Sequence, residues 1–132
     1  MHILTIKKSA EFKKVSNRNQ KFHAKSLLLL TATTPQIYHF NASKGQNAAQ
    51  FCRFGYTVSK KVGKAVTRNL AKRRLREAVK KLAAHYAKLN HDYVIIAKKE
   101  IVAADFNQIY ADLKFCLKRI HSPKSHDKSK KI

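Results

Sequence analysis

Between Arg53 and Lys81 the chain places eleven lysines and arginines against a single acid, Glu77. Guanidinium and ammonium groups at that density, with no carboxylates spaced to neutralise them along a helix, repel one another unless phosphates come between them. Their chemistry is the binding of polyanions, because neither group exchanges a proton readily near neutral pH. Asn69 stands inside this run. Its amide carries no charge but can donate to a phosphate or a 2′-hydroxyl and accept from a base or a hydrated metal ion.

The whole chain repeats the bias. Its 132 residues hold 29 Lys or Arg and 7 Asp or Glu, a formal net charge of +22, yet 44% are hydrophobic. That apolar share suffices for one packed core, so a disordered basic tail is excluded. The charge selects nucleic acid as partner over an anionic membrane surface.

Other chemistries find little to work with. Glu11, Glu77, Asp92, Glu100, Asp105, Asp112 and Asp127 lie far apart, most of them beside a lysine or at a helix start. They do not resemble the clustered ligands of a nuclease that holds its own metal pair, so no catalytic residue and no metal ligand is assigned. Cys52 and Cys116 lack a CxxC or Cys/His spacing and read as buried thiols rather than a disulfide or a zinc site. The seven histidines form no HExxH and read as surface or capping residues. With three glycines and no GxxxxGK[ST] or GxGxxG, a nucleotide-phosphate loop is not expected. Ile3 to Ile6 is too short for a signal-peptide core and Leu27 to Leu30 too short to span a bilayer, so a cytoplasmic location is expected.

The elements that must position these side chains follow from periodicity. Ser9 to about Arg18, with Phe12 and Val15, suits a short amphipathic helix capped by Ser9. Lys25 to Thr31 reads as a buried strand, followed by a polar loop to about Gln50 in which 37–40 could add a short strand. Phe51 to Ser59 alternates: Cys52, Phe54, Tyr56 and Val58 face the core, while Arg53, Gly55, Thr57 and Ser59 form a polar face. Lys64 to about Leu89 is free of Pro and Gly and predicts a long helix. At about 100° per residue, Ala71, Leu75, Ala78, Val79, Leu82 and Tyr86 form its core side, and Arg68, Asn69, Lys72, Arg73, Arg76 and Lys80 an adjoining cationic side. Asp92 to Ala97 is a near-continuous apolar strand, buried on both faces and suited to parallel pairing. Asp105 caps a second long helix, and the Lys-rich stretch 121–132 is expected to be a disordered basic tail. The order helix, strand, strand, helix, strand, helix predicts one α+β domain over 1–120, an α/β sandwich.

The run from Arg53 through Ser59-Lys-Lys-Val-Gly-Lys-Ala-Val-Thr-Arg-Asn-Leu-Ala-Lys-Arg-Arg-Leu-Arg-Glu77 resembles the signature of the bacterial ribonuclease P protein subunit, SKKxGxAVxRNxxKRxxRE. Looser similarity extends over about residues 9 to 120. The resemblance implies a protein that binds the catalytic RNA subunit of ribonuclease P and the 5′ leader of precursor tRNA. That RNA subunit carries the Mg2+ ions and the hydrolysis that removes the leader, and the protein alone is inactive. It also implies a left-handed βαβ crossover, contrary to the usual hand. Carried over residue by residue, RNA contacts map to Lys60, Lys61, Arg68, Asn69, Lys72, Arg73 and Arg76. The leader cleft, formed by the first helix and a sheet face, maps to Phe12, Leu28, Leu30 and Thr57.

The sequence departs from the family at Leu70, where a second arginine is expected and Arg74 is the candidate substitute. Ser16 and Leu30 replace frequent aromatics, which would weaken stacking of leader bases. The 31–50 loop is also longer than the family usually needs. Two rivals share the same basic residues: a non-catalytic structured-RNA-binding protein of ribosomal-protein type, and a duplex DNA reader using the long helix in a major groove. The nucleic acid that copurifies with the chain would separate them.

Overall fold

The computed structural model describes residues 2–6, 21–33, 51–88 and 91–121. These form β1 (His2–Thr5), β2 (Lys21–His23), β3 (Leu27–Thr33), β4 (Phe51–Thr57), α1 (Ala65–Tyr86), β5 (His91–Ala97), a 3-10 turn (Lys99–Val102) and α2 (Phe106–Ile120). The expected helix over 9–18, the possible strand at 37–40 and residues 122–132 of the expected tail lie outside the described residues. Strands β1 and β2 were not anticipated. Each is a short edge strand whose sequence gives too few residues for a period of two to register.

The five strands form one sheet in the order β1-β4-β5-β3-β2. β4 runs parallel to both β1 and β5, whereas β5 with β3 and β3 with β2 are antiparallel. Parallel β4 and β5 need a crossover, and α1 supplies it. β5 is the middle strand, which explains its unbroken apolar run: Tyr93, Val94 and Ile95 are all buried.

Both helices pack on one face of the sheet. There Leu27, Leu29, Cys52, Phe54, Tyr93 and Ile95 meet Leu75, Val79 and Leu82 of α1 and Ile109, Leu113 and Leu117 of α2. Phe54 and Tyr93 stack with ring centres 4.8 Å apart. Both cysteines are buried in this layer as thiols, neither of them in a disulfide. Burial pushes the Cys52 thiol up to about 11 and the Cys116 thiol up to about 12, so neither is a ready nucleophile.

Two acids that looked unremarkable in the sequence are structural. Asp112 on α2 accepts from the backbone N–H (3.0 Å) and hydroxyl of Ser26 and from the side-chain amide of Gln108 (2.8 Å), docking the β2–β3 turn onto the helix. Asp92 pairs with Arg53 across β4 and β5. Asp105 caps α2 as expected, its carboxylate accepting from the Gln108 backbone N–H at 2.8 Å.

His121, expected to begin the tail, instead closes α2 at its C-cap and bonds through Nε2 to the Tyr93 hydroxyl. That hydroxyl accepts from the Lys88 backbone N–H at 2.8 Å, so its own proton points to an unprotonated Nε2. Burial first, then the nearby charges of Lys88 and His91, lower His121 to about 4 from the usual 6.5. Because the folded value is depressed, the neutral ring stabilises the fold fully above about pH 6.5, and that contribution is lost as pH falls towards 4. The melting temperature of the protein should therefore exceed that of His121→Gln at pH 7, with the gap closing by pH 4. A gap independent of pH would contradict this assignment.

Candidate nucleic-acid interface

α1 presents the basic side chains. Ala71, Leu75, Ala78, Val79 and Leu82 recur at steps of three and four, and all are buried. Burying that stripe fixes the rotation of the helix and turns the adjoining arc away from the core. On the arc Asn69, Arg73, Arg76 and Lys80 are exposed, while Arg68 and Lys72 are half-buried. Lys60 and Lys61 are exposed in the preceding turn, which is closed by the Val62 N–H donating to the Ser59 carbonyl at 3.0 Å. All seven RNA contacts expected from the sequence thus lie along one helix and the turn that enters it.

The entry to α1 is itself electropositive. Gly63 makes the bend with φ +154°, and a Cβ there would come within 3.2 Å of the Thr67 side chain. Arg68 reaches back to donate through Nε to the Gly63 carbonyl at 3.2 Å. Lys64 at the N-cap makes no side-chain cap bond, and the first turn contains no acid. The opening N–H groups and the positive end of the helix dipole therefore sit beside Lys60, Lys61 and Lys64, an arrangement that favours phosphate.

Arg76 is oriented from the sheet. Its guanidinium lies 5.6 Å from the centre of the Tyr56 ring on β4. Burial pushes the Tyr56 hydroxyl far above its usual range, so the ring remains a neutral phenol and a suitable seat for a cation. Tyr56 was expected only as a core residue. Its place at the margin of the core, half-buried beneath the cationic arc, depends on how α1 crosses the sheet.

Two of the eleven basic residues have structural roles instead. Arg53 is 5% exposed and ion-paired with Asp92, so the strand parity that suggested a polar face here gives a buried pair. Arg74, the candidate substitute for the arginine missing at Leu70, donates from Nη1 to the Ala104 carbonyl at 3.3 Å. It links α1 to the segment before α2 and does not fill the arc.

The opposite sheet face holds the expected leader-cleft residues. Leu28, Ile96 and Thr57 are register partners across β3, β5 and β4, so they form one row on one face, and all three are half-buried. Leu30 occupies the next row with Val94 and Gly55. It is 2% exposed and packs with Ile6 and Val94, which makes it a floor residue and not an open contact. Phe12 lies outside the described residues. Among the described residues no group of three or more His, Cys, Asp or Glu could hold a metal ion, and no helix is long and apolar enough to cross a membrane.

The family model for ribonuclease P matches residues 3–121. The chain belongs to the ribonuclease P protein family. It is 39% identical over 115 residues to the ribonuclease P protein component of Paramagnetospirillum magneticum, covering 87% of this chain and 80% of that one. With the component from Brucella melitensis biotype 1 it shares 37% over 112 residues, 84% and 75% of the two chains. The solved RNase P protein of Staphylococcus aureus is 30% identical with a TM-score of 0.68, covering 86% of this chain and 92% of that one. The Thermotoga maritima RNase P protein, at 22% identity and a TM-score of 0.70 over 89% and 98% of the chains, shares the fold. As a ribonuclease P protein component, the chain is the protein part of a ribonucleoprotein endoribonuclease of tRNA processing, and its partner is RNA.

Proposed function

We propose that this ribonuclease P protein joins the catalytic RNA subunit through the cationic arc of α1 and guides the 5′ leader of precursor tRNA along the sheet face opposite the helices, in the cytoplasm. The observation that carries this reading is the exposed arc itself, where Arg73, Arg76 and Lys80 share a helix side with Asn69 and the helix offers only Glu77 as an internal counter-charge. Phosphates dock on such an arc with release of counterions, and the amide of Asn69 adds direction. Leu28, Ile96 and Thr57 give the leader an apolar row with a hydroxyl at one end. Mg2+ for hydrolysis belongs in this reading to the RNA subunit, since the two best-buried acids among the described residues, Asp92 and Asp112, already serve the fold.

Binding of the RNA subunit over a range of salt tests the arc. Lys72→Ala or Arg76→Ala should weaken binding at low salt and reduce the slope of log K against log salt by roughly one unit per lost phosphate contact. Asn69→Ala should leave the slope nearly unchanged while lowering affinity or cleavage by about 1 kcal/mol, the net worth of one directional hydrogen bond. Glu77→Ala, which removes the helix's acid, should tighten binding. An Asn69→Ala variant silent in both binding and cleavage would reduce α1 to a diffuse electrostatic surface.

A further inference from the structure

The buried stripe of α2 is complete without Phe115. Ile109, Leu113, Cys116, Leu117 and Ile120 fill the core side, and Phe115 lies on the outer side at 50% exposure. It is the one exposed residue among the Phe and Tyr side chains described. A single exposed hydrophobe needs no explanation by itself. The surroundings distinguish this one. At about 100° per residue, Ala111, Lys118 and Arg119 share its face, with Lys114 on the flank. The Arg119 guanidinium lies 5.7 Å from the Phe115 ring centre, and the Lys114 ammonium lies 5.9 Å from the Tyr86 ring of α1. No acid of α2 faces Lys114 or Lys118, because Asp112 is buried against Ser26 and Asp105 caps the other end of the helix.

We infer that the outer face of α2 is a second RNA-binding surface, on which an unpaired base of the RNA subunit stacks against Phe115 while Lys114 and Lys118 meet the flanking phosphates. A ring exposed among cations fits a base with its phosphates and fits neither an apolar protein patch nor a basic one. The RNA subunit is the occupant for a geometric reason that rests on the function proposed above. α2 lies in the same layer as α1, where that RNA docks, whereas the sheet separates α2 from the face assigned to the leader.

The test uses the assembled holoenzyme with precursor tRNA. A photo-crosslinking benzoylphenylalanine at position 115 should crosslink to the RNA subunit. Phe115→Ala should weaken affinity for that RNA about tenfold, equivalent to about 1.4 kcal/mol, with an unchanged melting temperature because the ring is half-exposed. Crosslinks confined to precursor tRNA or to a second copy of this chain, no crosslink, or an affinity within twofold of the parent would each overturn the inference. Lys72→Ala measured alongside separates the two readings. Loss with Lys72→Ala alone keeps α1 and removes α2, loss with Phe115→Ala alone keeps α2 and removes the α1 assignment, and loss with neither removes both.

Discussion

Asp92→Ala is expected to destabilise the protein by about 3–5 kcal/mol, the cost of leaving a buried guanidinium without its carboxylate. Arg53 and Asp92 are register partners on β4 and β5, with Nε donating to Oδ1 at 2.8 Å and Nη2 to Oδ2. Exposures of 5% and 2% leave little water to take over if the acid is removed. The loss would be a large share of the roughly 5–15 kcal/mol by which domains are stable. Replacing both partners together, Arg53→Met with Asp92→Leu, should cost far less than the single change, because desolvating an ion pair offsets most of its attraction. Urea denaturation of the parent protein and the two variants gives the comparison. A single-variant loss below about 1 kcal/mol would mean that the pair is solvated in practice and that its burial has been overstated.

How much of this was legible in the sequence depends on what set each feature. The long helix was, because Ala71, Leu75, Ala78, Val79 and Leu82 repeat at helical spacing within a helix of 22 residues, and burying them leaves one place for Asn69, Arg73 and Arg76. β5 was, because only a central strand tolerates so continuous an apolar run. Asp105 at the start of α2 was, because capping is a local signal. What stayed hidden came from partners distant in sequence. Arg53 looked like one more RNA-facing cation until β4 and β5 were aligned with Asp92 opposite it. A lone Arg on one inner strand and a lone Asp on its neighbour was the available signal, but the register that makes them a pair is tertiary information.

The same distinction explains Arg74, Tyr56 and Leu30. Arg74 falls one helical turn after Leu70 and seemed placed to replace a missing contact, yet its guanidinium meets Ala104, thirty residues away in sequence. Tyr56 has the parity of a core residue, and only the crossing of α1 over the sheet brings Arg76 above its ring. Leu28 and Leu30 share a strand face, as their spacing requires, but neighbouring strands decide that Leu28 stays partly open while Leu30 closes against Ile6 and Val94.

The largest effect expected of all concerns where cleavage takes place. Among the described residues Asp92 and Asp112 hold the fold, Asp105 caps a helix, and the thiols of Cys52 and Cys116 are buried with raised values. The exposed arc of α1 offers cations that bind phosphate, and nothing on it can activate water. Cleavage in a holoenzyme should therefore appear only when the RNA subunit is present.

The direct measurement is 5′-leader release from precursor tRNA in buffered Mg2+, using rigorously RNA-free protein, first alone and then with the matching RNA subunit. The expected result is no detectable mature 5′ end from the protein alone and efficient maturation once the RNA subunit is added. Robust, Mg2+-dependent release by the RNA-free protein would contradict the assignment of this chain as the non-catalytic, RNA-binding component.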